Sequence, residues 1–300
     1  MSDQVGHVPV LLQEVIEALN IQKDAWYVDA TFGLGGHARE ILKRGGRVFG
    51  FDHDQSCIDQ AKERFSQELA EHRLKLEHKN FNEMGEVDDL HKLRIMGILF
   101  DFGLNSVQLD SKERGFSFQE DADLDMRMDK RLAVTAKDLV NGLGKKELIK
   151  LLSEIAQEKF ARQITTAILQ YRKEKRIQRT KELAEIIEKA VGGRKSGLKG
   201  HLHPATKTFM ALRIAVNSEL QDIEQTLPIA LDILQAQGRI LTISFHEGED
   251  RLVKRAMKSW ILEGFGEQLT KKPIEASEQE KRMNPRSRSA KLRIFRKGIL

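Results

Sequence analysis

Cysteine is almost missing from this sequence. Cys57 stands alone among 300 residues, so neither an intrachain disulfide nor a cysteine-based zinc site can form. That usage fits a reducing compartment, and a cytoplasmic location is expected. Long apolar runs are missing as well: no stretch approaches the roughly 20 apolar residues of a membrane span. The opening residues MSDQVGHVPV have neither the basic start nor the apolar stretch of a secretion signal. Internal repeats are also lacking.

What is present is enough apolar and charged material for a soluble chain with a real core. Apolar residues make up 40% and charged residues 32%, which suits one large domain or two smaller ones. The net charge of +5 is unevenly placed. Residues 137–213 hold 18 Lys and Arg against 8 Asp and Glu, a net of +10, which leaves −5 for the remainder. A second basic run, KRMNPRSRSAKLRIFRK (281–297), has eight basic residues and no acid. Two separate basic regions point to a polyanionic partner, although a charge-rich helix can also be a plain solvated face.

The hydrophobic pattern divides the chain into three. Residues 8–19 read as an amphipathic helix with Pro9 in its first turn. Strands are expected at 26–31, 47–52, 74–79 and 96–101, with helices between them, the rhythm of a doubly wound parallel sheet. The rhythm stops at 104–130, a long segment without a clean period. Helical patterns then run from 135 to about 191, followed by the basic linker GGRKSGLKGH. From Pro204 a helix over PATKTFMALRIAVNSEL and another to Leu234 lead back to a strand at 238–245, a helix over EDRLVKRAMKSW and two late antiparallel strands. The expected fold is a Rossmann-like α/β sheet interrupted by an all-helical domain. Its expected limits are 1–103 for the first part of the sheet domain, 104–203 for the loop and helical insert, and 204–300 for the second part.

The motif VDATFGLGGHA (28–38) joins a strand to a helix through glycines. Gly33-x-Gly35-x-x-Ala38 fits the loose dinucleotide fingerprint, and Asp52 follows 19 residues after Gly33. That spacing alone would suit a nicotinamide enzyme. Asp29 argues for S-adenosylmethionine instead. A carboxylate at the first strand end repels a pyrophosphate but attracts an ammonium and a sulfonium. At about 4 Å and an effective dielectric of about 20, each such pair is worth roughly 4 kcal/mol before desolvation. The helix start after Gly36 would receive the methionine carboxylate. Asp52 would accept from the ribose hydroxyls and Phe81 would cover the adenine, although Phe81 is equally readable as core. Asp101 ends the fourth strand, and Gln108 follows within reach. Ligands of doubly wound sheets sit beyond such carboxyl ends.

Seven segments together resemble one family: GHVPVLLQEVIEAL, YVDATFGLGGHA, DFGLNSVQLD, RGFSF with DADLDMRMD, HPATKTFMALRIAVNSEL, SFHEGEDRLVKR and NPRSRSAKLR. In this order they resemble the bacterial 16S ribosomal RNA cytosine-N4 methyltransferases, over nearly the whole chain. The resemblance implies methyl transfer from S-adenosylmethionine to the exocyclic amine of a cytidine in the decoding region of 16S rRNA. It also implies cofactor contacts at Gly35, Gly36, His37, Asp52, Phe81, Asp101 and Gln108. The chain departs from the family in two places. Leu104-Asn105-Ser106-Val107 stands where Val-Ser-Ser-Pro is usual, and Glu247-Gly248 where Ser-Leu is common.

The candidate proton acceptor is Asp101 or a backbone carbonyl in 101–106, with His37 a lesser one. Arg213 and Asn217 share a helix face and read either as RNA contacts or as hydrogen-bonded core. His246 is a candidate for the base pocket. The acids of 120–129 are interleaved with Leu124, Met126 and Met128, so a solvated loop is expected there and no metal site. Two readings compete with the methyltransferase: a nicotinamide oxidoreductase and a non-catalytic RNA-binding assembly factor. A DNA amino-methyltransferase would carry Asn/Asp-Pro-Pro-aromatic where this chain has Asp101-Phe102-Gly103-Leu104.

Overall fold

Strands with apolar side chains on both faces build the centre of the protein, as expected where helices cover a sheet on both sides. The structure is a computed structural model that describes residues 9–103, 113–192 and 203–299. Its sheet has eight strands: β1 Trp26–Asp29, β2 Arg47–Phe51, β3 Leu74–Glu77, β4 Ile95–Asp101, β5 Leu234–Ser244, β6 Gly266–Gln268, β7 Ile274–Glu275 and β8 Lys291–Lys297. The order is β3-β2-β1-β4-β5-β8-β6, with β7 also paired to β8. Strands β1 to β5 are parallel, and β8 runs antiparallel to β5, β6 and β7.

Alternation sorts the core into two layers. Val28, Phe49, Phe51, Ile98, Phe100 and Ile240 face the helices Glu219–Ile233 and Glu247–Leu262. Tyr27, Val48, Leu99, Leu241 and Ile243 face the helices Leu12–Leu19 and Gly36–Lys43. The chain leaves β1 toward β2 on one side, while β4 lies on the other. The carboxyl ends of β1 and β4 therefore flank the switch point of a doubly wound sheet.

The chain separates into two compact units, residues 1–105 with 220–300, and residues 106–219. The second is helical and has its own core, including Val140, Leu152, Ile164, Leu183, Phe209 and Leu212. The helix Thr206–Val216 belongs to this core, so the chain returns to the sheet unit at Leu220 and not at the expected 204. Its apolar residues are buried against helices of the insert, which a sequence pattern alone does not reveal. Of the two successive helices expected from 204, the first ends at Val216, short of the expected Leu220, and Ser218 takes a left-handed φ of 53° before the second begins at Glu219. The N-terminal helix likewise starts later than expected. Leu11 has φ 53°, and regular helix begins at Leu12, leaving Pro9 outside it.

The described part of the long loop is not a solvated segment. Leu124, Met126 and Met128 are buried in or beside the helical core. Thr180 ties this strap down by accepting from the Ala122 N–H at 3.0 Å and donating to the Glu120 carbonyl at 2.9 Å. Its four aspartates each meet a base: Asp121 with Arg179, Asp123 with Lys137, Asp125 with Arg127 and Asp129 with Arg131.

The second basic run also has internal work. Arg293 on β8 forms two hydrogen bonds to Asp250 on the helix Glu247–Leu262, at 2.6 and 3.1 Å, and both residues are buried. Lys297 donates to the carbonyls of Leu231 and Leu234, while Lys291 pairs with Glu247 and Arg296 with Glu267. Half of that run is thus consumed by holding β8 in place. Arg293→Ala should lower unfolding stability by about 3–5 kcal/mol, because it strands a buried carboxylate. A paired apolar replacement of Arg293 and Asp250 should recover much of that loss in urea titrations.

Candidate active site

Three aspartates lie at or just past adjacent carboxyl ends: Asp29 on β1, Asp52 after β2 and Asp101 on β4. Asp29 is 1% exposed. It accepts from the Thr31 N–H at 3.3 Å. Burial above all pushes its carboxyl up to about 7; the Thr31 and Ala38 N–H groups oppose the rise and Asp52 adds to it. Asp52 accepts from the Gly33 and Asp54 N–H groups, each at 2.8 Å, and so fastens the glycine loop to the end of β2. Burial raises it too, against the pull of His53 and those two N–H groups.

Asp101 is held from behind. Its backbone N–H donates to Thr31 Oγ1 at 2.8 Å. Its Oδ1 is buried without a hydrogen-bond partner among the described residues. Burial, then Asp29, then Glu249 push this carboxyl well above the ordinary range. Glu249 is itself 1% exposed. Its Oε2 accepts from the Phe245 N–H at 2.6 Å and the His246 N–H at 3.2 Å. Among the described residues, no lysine or arginine forms an ion pair with Asp29, Asp52 or Asp101. A desolvated acidic cluster with an unsatisfied oxygen matches a cationic ligand and opposes a pyrophosphate.

The glycine loop has a different physical basis from the one expected. Gly35 has φ 73°, and a Cβ there would lie 2.6 Å from the Phe65 ring and 2.8 Å from Phe32. A Cβ on Gly36 would come within 2.3 Å of Pro9 Cγ. On the Cβ side of each glycine the protein's own rings leave no room for a side chain. Both glycines are required by packing, and Gly35 also by its left-handed backbone. They start the helix Gly36–Lys43, which has no side-chain cap.

His37 is buried, with Nε2 3.1 Å from the Val10 carbonyl oxygen. That acceptor requires the proton to sit on Nε2, which takes this nitrogen out of use as a base. Phe81 opens a 3-10 turn, Phe81–Glu86, past the end of β3. Its ring packs edge-on to Phe100 at 5.7 Å and tilted against Phe102 at 6.1 Å. It is only partly buried, so one part meets the core and another stays accessible. Gln108 and Leu104–Val107 lie outside the described residues.

The three expected substrate contacts have work within the fold. Asn217 is 8% exposed. Its Oδ1 accepts from the Met128 N–H at 2.7 Å, and its Nδ2 donates to the carbonyls of Met126 and Arg213, both at 2.8 Å. That uses the amide fully as a clamp on the strap. Arg213 forms a two-pronged pair with Glu219 at 2.8 and 2.7 Å. For both residues this is the hydrogen-bonded core alternative. His246 caps the helix Glu247–Leu262, its Nδ1 accepting from the Gly248 and Glu249 N–H groups at 3.1 and 3.4 Å. Nδ1 is thereby committed to a helix end, while Nε2 lies 3.2 Å from Glu249 Oε1. A separate groove of about 560 Å³, lined by Trp260 among others, contains none of the expected site residues.

Thr31 and Glu249 are the contributors that sequence reading misses. Glu249 had a signal, since His246-x-x-Glu249 has capping-box spacing. Thr31 had none beyond its place at a strand tip.

The whole chain has relatives. Residues 4–298 match the model of the MraW methylase family. The chain is 44% identical over 297 residues to ribosomal RNA small subunit methyltransferase H of Sulfurihydrogenibium sp. (strain YO3AOP1), covering 98% of this chain and 99% of that protein. It is 42% identical over 297 residues to the protein of that name from Acidobacterium capsulatum, covering 97% and 98%. The figure for Clostridioides difficile is 42% over 310 residues, covering 97% and 98%. The chain belongs to the MraW methylase family.

Proposed function

We propose that this chain methylates the exocyclic N4 amine of one cytidine in the decoding region of small-subunit ribosomal RNA, using S-adenosylmethionine. The observation that carries this reading is the acidic cluster at the strand tips, with Asp101 Oδ1 unsatisfied and no basic side chain paired to it among the described residues. The relatives named above, methyltransferases of small-subunit ribosomal RNA, support the substrate. Among the described residues no helix is long and apolar enough to cross a membrane, and a cytoplasmic location belongs to the same reading.

When bound, S-adenosylmethionine supplies a methyl group on a cationic sulfur. Asp29 and Asp101 would hold that charge, Asp52 the ribose and Phe81 the adenine. A nearby cation favours the ionised form of each raised carboxyl. Asp101, ionised in this way, is suited to draw a proton from the attacking amine at Oδ1. Positioning contributes about 7–11 kcal/mol to such a transfer. Proton acceptance adds roughly 10²–10⁴-fold, or about 3–5 kcal/mol. Holding the base in line is therefore the larger task, and the proton acceptor the smaller.

RNA capture falls to the helical unit. Lys145, Lys146, Lys150, Arg162, Lys173 and Arg176 are exposed there. Such side chains neutralise phosphates and release counterions, so log affinity for the RNA falls steeply with log salt. The target base leaves its stack to reach the acids, at a cost of a few kcal/mol. A nicotinamide enzyme would have to bring a pyrophosphate to a cluster of carboxylates.

The deciding experiment uses small subunits from a strain lacking the modification. Labelled methyl from S-adenosylmethionine should appear on one cytidine, mapped by nuclease digestion and mass spectrometry. No label, with RNA still bound, would leave only an assembly factor. Asp101→Asn should lower kcat by about 10²-fold or more while cofactor affinity changes by about tenfold at most; full-rate methylation would remove the side chain from proton acceptance.

The pH dependence follows from Asp29. Its folded-state value near 7 lies above its ordinary 3.8, so the folded chain holds a proton the unfolded chain has lost. This contribution to the stability of the unliganded chain is complete below pH 4 and disappears as pH rises through 7. A cation needs the ionised form, so S-adenosylmethionine affinity should rise toward pH 7 and level off above it. Calorimetry in buffers of different ionisation heat should show proton release below pH 7. Asp29→Asn should reduce that release and leave the share given up by the raised Asp101 carboxyl.

A further inference from the structure

Phe81 is flanked by two asparagines, and both are tied to one carboxylate from a distant part of the chain. Asp222 lies in the helix Glu219–Ile233 and is 6% exposed. Its Oδ2 accepts from Asn80 Nδ2 at 2.6 Å, and its Oδ1 from Asn82 Nδ2 at 2.8 Å. Asn80 is further fixed by its backbone N–H, which donates to Glu83 Oε2 at 2.8 Å. The turn carrying Phe81 is thus gripped on both sides.

This grip is an unusual use of an acid. Among the described residues Asp222 has no lysine or arginine partner; its hydrogen bonds are to neutral amides. Burying a carboxylate on amides alone is costly. An apolar residue would anchor the helix to the core with less penalty, as Ile223, Leu227 and Ala230 already do. What the carboxylate adds is direction. Two short hydrogen bonds hold the side chains of the residues on either side of Phe81, while Phe100 and Phe102 pack against its ring.

We propose that Asp222 is a positioning residue for the cofactor, acting through Asn80 and Asn82 to hold the Phe81 ring where the adenine packs. The inference rests on the adenosylmethionine reading above. Asp222 touches no reacting atom; it sets the angle of a side chain that does touch the cofactor. The helix by which the chain re-enters the sheet unit thereby completes the binding crevice.

A double-mutant cycle on the full chain tests this, with S-adenosylmethionine binding read by calorimetry and cofactor KM and kcat by methylation of unmodified small subunits. Asp222→Ala should weaken S-adenosylmethionine binding about tenfold, because a ring displaced by a fraction of an ångström loses its stacking. Cofactor KM should rise in parallel, with kcat at saturation within about twofold. In a Phe81→Leu background the same substitution should cost less than about twofold, because the group it positions is gone. Equal losses in both backgrounds, or no loss in the first, would overturn the inference and leave Asp222 as an anchor of the turn. Should Asp222→Ala fail to fold, Asp222→Asn and Asn82→Ala each remove part of the grip and enter the same cycle. Absence of S-adenosylmethionine binding by the unaltered chain is a different outcome: it would overturn the cofactor reading itself, and this inference with it.

Discussion

Buried negative charge without a counter-charge is the constraint on which the active crevice depends. Asp29, Asp101 and Glu249 interact in a desolvated region, and Asp52 adds to the field at Asp29. Burial raises the carboxyls of Asp29, Asp52 and Asp101 above the ordinary range. The fold tolerates them because each is held by rigid backbone. Asp29 receives N–H groups from its own loop, Asp52 is bonded to Gly33 and Asp54, and the N–H of Asp101 rests on Thr31. The crevice is therefore electrostatically frustrated while its geometry is fixed. A cation is what the arrangement lacks, and a preorganised site of this kind needs little rearrangement to receive one.

The parallel sheet was legible because its strands alternate and are apolar on both faces. Val28, Phe49 and Phe100 face one layer of helices, and Tyr27, Val48 and Leu99 the other. The acids at the strand ends were legible for the same reason, since a polar residue closing an apolar run marks where a buried strand stops. Helix limits were less legible. Leu11 and Ser218 adopt left-handed backbone without being glycine, and neither break has a local signal. The limit of the helical unit was hidden by composition. The helix Thr206–Val216 looks equally suited to either core, and only its partners decide.

Side-chain roles were hardest to read where one residue type serves two purposes. Asn217, Arg213 and His246 are polar residues beside apolar runs, a pattern shared by ligand contacts and by structural hydrogen bonds. In this protein Asn217 closes on backbone carbonyls and an amide, Arg213 on Glu219 and His246 on a helix end. The glycines illustrate the same ambiguity in reverse. Gly35 and Gly36 sit where a ligand-binding loop wants glycine, yet Phe65, Phe32 and Pro9 already require it. A fingerprint can thus be kept by packing as well as by ligand approach. The basic run at 281–297 misleads similarly, because Arg293 and Lys297 are consumed within the sheet unit.

Charge separation along the chain answers a difficulty that the acidic crevice raises. Carboxylates that attract a sulfonium repel a phosphate backbone, so a nucleic acid cannot be captured by the groups that hold the cofactor. The helical segment carries the opposite sign, a net of +10 over 137–213 against −5 for the rest. Phosphates are screened by salt and act over about 10 Å at 0.1 M ionic strength. A flipped cytosine is neutral, and entering the crevice costs it no Coulombic penalty. The polyanion and the cation are thus assigned to different side chains, and only the uncharged base need meet both. On this reading the basic helical segment and the acids at the strand tips divide between them the two electrostatic tasks of methylating RNA with a cationic donor.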